Sequence, residues 1–138
     1  MTAIAPPRLR WVARATVEVG TPIALDSTPE GRHRLVPIRG GHVVGEWRGV
    51  ILGGGADRQT VHDDGSVVID ARYPVRLEDG SMVCFIARGV RPADAPDGGF
   101  STSLILRGDA PPSISSTVYL AVGHKAAGAV EFAVFEVA

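Results

Sequence analysis

Cysteine, lysine and helical periodicity are what this chain has least of. Its one cysteine, Cys84, excludes an internal disulfide and a cysteine-based zinc site. Lysine occurs once, at Lys125, and the 13 arginines are scattered along the chain. A polybasic membrane patch is therefore absent, as is the basic face of a nucleic-acid binder, and the formal net charge of −1 agrees. No apolar run approaches the roughly 20 residues of a membrane-spanning helix. The opening MTAIAPPRLRW has neither the basic n-region nor the apolar h-region of a signal peptide. These absences lead to the expectation of a soluble, cytoplasmic protein. The four histidines, His33, His42, His62 and His124, stand on separate segments without HxH or HExxH spacing, so no metal is expected. Gly53-Gly54-Gly55 lacks the Gly-Lys-Ser/Thr that completes a phosphate loop, and no cofactor is expected.

What is abundant is punctuation: 17 glycines and 10 prolines in 138 residues, dividing short alternating segments. Length alone predicts one domain over 1–138, with 1–7 an extended N-terminal segment. Residues 8–19 alternate, with Leu9, Trp11, Ala13, Ala15, Val17 and Val19 on one face. Residues 20–31 read as a loop, and 33–38 as a short strand interrupted by Pro37. Further strands are predicted over 42–52, 59–62, 67–77, 82–90, 100–106, 117–122 and 129–137. Only 126–129 is read as a brief helical turn. A helix-free sheet must close or fold over to bury its apolar face. A closed antiparallel β-barrel of about eight to ten strands is the first reading, and a sandwich the second.

Two Asp-Gly signals, Asp64-Gly65 and Asp79-Gly80, flank the 67–77 strand and predict hairpins. With symmetric turns, Asp57 falls opposite Arg72 and Gln59 opposite Asp70, all four on one face. Tyr73 falls on the other face with Met82, Cys84, Ile86 and Arg88. A one-residue bulge would exchange these assignments. The face carrying Val67, Ile69, Ala71, Tyr73, Val75 and Leu77 is the more apolar, and burial stabilises by about 1.5–3 kcal/mol per large side chain. It is therefore assigned to the interior, with Tyr73 and Arg88, and the charged set to the outside or rim. Asp57, Asp70 and Arg72 also read as a cross-strand ion-pair ladder, Tyr73 as a filling aromatic, and Trp11, Trp47 and Cys84 as core. Arg88, on an apolar strand, calls for a carboxylate or an oxygenated ligand.

The runs GGHVVGEWRGVILGGGADRQTVHDDG, VVIDARYPVRLEDGSMV and ARGVR resemble domain-of-unknown-function family 3237 (DUF3237), small calycin-like barrel proteins. The resemblance extends from about Trp11 to Val137. It departs from the family pattern at Arg58, where an aromatic is usual, and in the Ser/Thr-rich 100–103 and 115–119 segments. It implies a barrel with a central pocket and, through fungal members associated with cofactor-free ring closure, proton-transfer chemistry. The resulting expectation is a cofactor-independent enzyme of lyase, isomerase or cyclase type acting on a small, largely apolar, oxygenated molecule. Asp57 or Asp70 would be base, Tyr73 proton donor or oxyanion partner, Arg72 or Arg88 anchor and Trp47 pocket wall. The alternatives are a ligand-binding barrel without catalysis and a structural or homodimeric barrel.

Overall fold

The computed structural model describes residues 2–138. Residues 2–8 carry no regular secondary structure. Ten antiparallel strands follow: β1 (Leu9–Val19), β2 (Ile23–Thr28), β3 (Gly31–Gly45), β4 (Gly49–Ile51), β5 (Gly55–Val61), β6 (Val67–Leu77), β7 (Met82–Arg91), β8 (Phe100–Gly108), β9 (Tyr119–Ala126) and β10 (Ala129–Val137). Hydrogen bonding runs β1-β10-β9-β8-β7-β6-β4-β3-β2, and a β1–β3 pairing closes the ring. Strands β4 and β5 both lie between β3 and β6, one above the other, so the closed wall has eight positions around it. Closure removes the edges that an open sheet of this length would expose.

Three expectations are corrected. The 20–31 segment contains strand β2, which pairs with β3 beyond the end of β1. The chain does not break near residue 40: β3 is one 15-residue strand, and the 42–52 segment divides between β3 and β4. Pro37 lies where β3 passes from its β2 neighbour, at Leu35, to its β1 neighbour, at Ile38. Having no N–H, it costs no ladder bond there. Among the described residues the α-turn is α1 (Pro112–Ser115), while residues 126–129 form the β9–β10 hairpin.

The two Asp-Gly hairpins do form, but with three-residue loops. Gly65 N donates to His62 O and His62 N to Ser66 O, each at 2.9 Å; Leu77, Gly80 and Ser81 repeat the arrangement at 2.9 Å. Gly65 and Gly80 take φ of +91° and +88°, the left-handed position that ends such a loop as a glycine bulge. Asp64 Oδ1 accepts from Ser66 N (2.8 Å) and Ser66 Oγ (2.6 Å), and Asp79 does the same for Ser81. The serine hydroxyl bonds, followed by the amides, hold both carboxyls below the usual range.

The extra loop residue shifts the register by one. Asp57 lies opposite Ala71, not Arg72, and Tyr73 lies opposite Phe85. The inward faces become Asp57 and Gln59 on β5, the Val67–Leu77 apolar set on β6, and Val83, Phe85 and Ala87 on β7. Asp70 pairs with Arg88 on the outside. A second irregularity, between Trp11 and Ala13, turns Val12 inward (1% exposed) and leaves Trp11 and Leu9 about half exposed, against the expected core position of Trp11. Cys84 is half-buried opposite Pro74, off the inner face.

The closed end of the barrel is solid. Trp47 meets Tyr119 edge-on at 4.7 Å and Phe85 at 6.4 Å, with Val75, Leu77, Val83, Leu106 and Val134 packed around them. Such edge-to-face pairs add about 0.5–1.5 kcal/mol beyond the area they bury.

Candidate functional site

Above that plug the barrel is hollow. Inward positions there carry short side chains, among them Ala71, Ala87, Ala121 and Thr102, and they enclose a cavity of about 290 Å³. This is at the small end of ligand-site volumes. Val17, Val36, Ile38, Ile69, Phe100 and Phe132 complete an apolar wall. Among the described residues β2 pairs with β3 alone, so the wall is unsealed between β2 and the β9–β10 hairpin, where Val19, Gly20, Pro22, Ala126 and Ala129 line the mouth.

Asp57 and Tyr73 are both in this cavity, on neighbouring strands. Gly55 makes that approach possible: a Cβ there would lie 2.4 Å from Arg72 O and 2.5 Å from Tyr73 Cβ. Tyr73 is 3% exposed and tilts against Phe85 at 5.6 Å, so its ring belongs to the plug while its edge borders the cavity. Burial, reinforced by the Asp57 carboxylate, pushes its phenol far above the ordinary range, and it stays protonated.

A short polar chain holds Asp57. Arg34 Nε donates to Gln59 Oε1 (2.7 Å), Gln59 Nε2 to Asp57 Oδ2 (2.6 Å), and the Asp70 amide to Asp57 Oδ1 (3.0 Å). The chain has a fixed sense. Arginine only donates, so the Gln59 oxygen faces it and the Gln59 amide faces the carboxylate. The last bond fills a gap in the sheet, where Arg58 and Gln59 are unpaired between Asp57–Ala71 and Thr60–Val68. Burial nevertheless raises the Asp57 carboxyl above its ordinary value, the hydrogen bonds only partly offsetting it.

Three cations share the cavity: Arg34, Arg91 and Lys125. Among the described residues none of them has a carboxylate within 4.0 Å. Arg91 and Lys125 are held below their usual ranges, first by burial and then by the other cations. Thr102 Oγ1 is buried against the same space with no hydrogen-bond partner among the described residues.

Of the residues singled out from sequence, then, Asp57 and Tyr73 come together in the cavity. Asp70, Arg72 and Arg88 do not enter it. Arg88 Nε reaches Asp70 Oδ1 at 3.3 Å on the exterior, correcting its expected interior place, and Arg72 and Arg88 border a shallow outer groove with Ile86 and Arg107. That exposed pair is worth about 0–1 kcal/mol. Trp47 is buried in the plug and is no wall of the cavity. Arg34, Arg91, Lys125 and Thr102 were missed. Their signal was the corrected register, which places Arg91 on the Tyr73 side of β7 and Arg34 beside Gln59. Among the described residues no three His, Cys, Asp or Glu are grouped to hold a metal ion.

A closed antiparallel barrel, solid at one end and open to a polar-fitted cavity at the other, is the class that fold and site define. The chain belongs to the family of proteins of unknown function DUF3237, whose model matches residues 7–137. A UPF0311 protein of Clostridium acetobutylicum is 38% identical over 78 residues, 55% of this chain and 49% of that protein. One from Bradyrhizobium diazoefficiens is 32% identical over 82 residues, 59% and 54% of the two. The chain spans about half the length of the curated relatives it matches. Among solved structures, a β-barrel-like protein of Acinetobacter baumannii superposes with a TM-score of 0.89 at 24% identity, all of both chains covered. A Clostridium acetobutylicum protein of unknown function gives 0.87 at 24% identity, over 99% of this chain and 100% of that one. A structure described as an enzyme from Penicillium herquei gives 0.81 at 16% identity, over 100% and 99%. At these identities the likeness is one of fold. Among the described residues no helix is long and apolar enough to cross a membrane.

Proposed function

We propose that the hollow half binds a small, largely apolar, oxygenated molecule and transfers a proton on it without a cofactor, as a lyase, isomerase or cyclase would. Asp57 acts as base, and Tyr73, which keeps its proton, donates a hydrogen bond to the oxyanion that develops. The observation that carries this reading is their convergence: a carboxylate made more basic by burial beside a phenol kept neutral by burial, in one apolar cavity. Each Asp57 oxygen accepts one bond from the protein and retains a second lone pair for a substrate proton. The Penicillium herquei protein described as an enzyme is consistent with catalysis on this fold.

The test needs no known substrate. A panel of ketones and β-dicarbonyl compounds is incubated with the protein in D₂O, and carbon-bound deuterium is followed by NMR. The wild type exchanges above buffer, and Asp57→Asn and Tyr73→Phe each lose about a hundredfold or more while melting cooperatively. Absence of exchange above buffer, or equal exchange in both variants, sinks the reading.

A second reading is a binding barrel without turnover. It is favoured by the structural duties of Asp57, which bridges the β5–β6 gap through the Asp70 amide. Retained binding of a panel compound with no exchange would select it.

A further inference from the structure

Cavity walls made of valine, isoleucine and alanine give no reason for three cations at one end. Arg34 and Arg91, half-buried against apolar wall, lose part of their hydration, a loss that a carboxylate would recover, while Lys125 stands exposed at the mouth. Arg34, Arg91 and Lys125 have no carboxylate within 4.0 Å among the described residues; most arginines of the barrel also have none, but these three cations converge on one cavity. They also come from three separate strands, β3, β7 and β9, so no local sequence feature groups them. The one acid in the cavity, Asp57, is already bonded to Gln59 and the Asp70 amide and leaves an excess of positive charge.

We propose that Arg34, Arg91 and Lys125 form a receptor for the carboxylate of the bound molecule, which is thus an apolar organic acid taken up as its anion. This rests on the hollow half being a ligand site and narrows the class of ligand. Arg34 spends its Nε on Gln59 and keeps its terminal N–H groups; among the described residues the Arg91 and Lys125 side chains make no hydrogen bond or ion pair. The ladder sets the order along the barrel: the Arg34 position is nearer the mouth and the Asp57 position nearer the plug. Arg34 lies beside Gln59, and Asp57 lies two residues further along β5, beside Val36. Two residues of strand span about 7 Å. The acid therefore presents its carboxylate at the rim and, deeper in the cavity, the carbon or hydroxyl that meets Asp57.

Three probes sharing one ring system separate charge from shape: 2-naphthoate, 2-naphthalenemethanol and 2-naphthylmethylamine, titrated calorimetrically into the full chain. The naphthoate is expected to bind tightest and to weaken with added salt. Arg91→Gln and Lys125→Gln, both at the rim, each weaken it about tenfold while leaving the alcohol within about twofold. Equal affinity for all three probes, or equal loss of alcohol and acid in the variants, overturns the anion receptor and leaves the ligand site standing. If none of the three binds, both fall. Naphthoate binding with the expected variant effects upholds the receptor even where deuterium exchange fails, because it does not depend on Asp57 chemistry.

Discussion

Phe85 and Phe132 are both inward phenylalanines of the same barrel, yet one is locked between rings and the other looks onto open space. Phe85, fully buried, touches Trp47 and Tyr73; Phe132 packs over Gly123 and lines the cavity. The difference comes from what the neighbouring strands contribute. At the closed end the opposing positions carry Trp47, Tyr119, Leu77 and Leu106, and at the open end Ala71, Ala87, Ala121 and Thr102. A circumference built for eight strands fills only when large side chains are supplied to it. The same wall is thus a core where the residues are large and a receptor where they are small.

Truncating the two phenylalanines puts this to the strongest test. Phe85→Ala creates a void in packed surroundings and costs about 3–5 kcal/mol. Phe132→Ala enlarges space that already exists, so the added cavity penalty is small and the loss is roughly half as large. Urea unfolding of both variants reads the difference, and equal losses would mean that the open end is filled in solution.

A smaller, pH-dependent effect distinguishes the polar wiring of the open end. Asparagine at 57 cannot accept at both positions, because one of them becomes an amide facing the Gln59 amide. Wild type is therefore the more stable at low pH. The Asp57 carboxyl is raised by burial above its unfolded value of 3.8, so the folded state holds the proton more tightly than the unfolded chain. That contribution is lost as pH rises through the folded pKa, and the margin of wild type over Asp57→Asn narrows upward from about pH 4. Asp64 and Asp79, shifted in the opposite direction, are common to both proteins and cancel. Unfolding curves across this range check it, and a margin that widens with pH would contradict it.

The smallest change is a gain. Thr102→Val replaces a buried, unpartnered hydroxyl by a methyl of the same shape, which raises stability by about 1 kcal/mol, seen as a higher melting temperature. Among the described residues, no closed-end side chain has a buried polar atom left unpartnered in this way.

The barrel was legible because alternation and turn residues are local signals. The β6 face of Val67, Ile69, Ala71, Tyr73, Val75 and Leu77 reads directly from the sequence, and it is the inner wall. The site was legible only in half. Asp57 and Tyr73 were marked, but on opposite faces, because Asp-Gly is shared by two-residue turns and by three-residue loops ending in a left-handed glycine. The serine that follows each pair, bonded back to the aspartate, accompanies the longer loop here. Arg34 and Lys125 lie too far apart in sequence for any spacing rule to join them; only closure of the ring does. Trp11 was misplaced for a related reason, a strand irregularity that alternation alone does not reveal.

Loop length at Asp63-Asp64-Gly65 therefore acts as a selector of pocket chemistry. With three residues, β5 offers the cavity an acid and an amide, Asp57 and Gln59; one residue fewer would offer it Arg58 and Thr60 instead, replacing the cavity's acid by a fourth cation while every residue of the strand itself stayed the same. A barrel that sets register by hairpin loops can exchange an acid for a base by a single insertion or deletion at its surface, far from the molecule it holds.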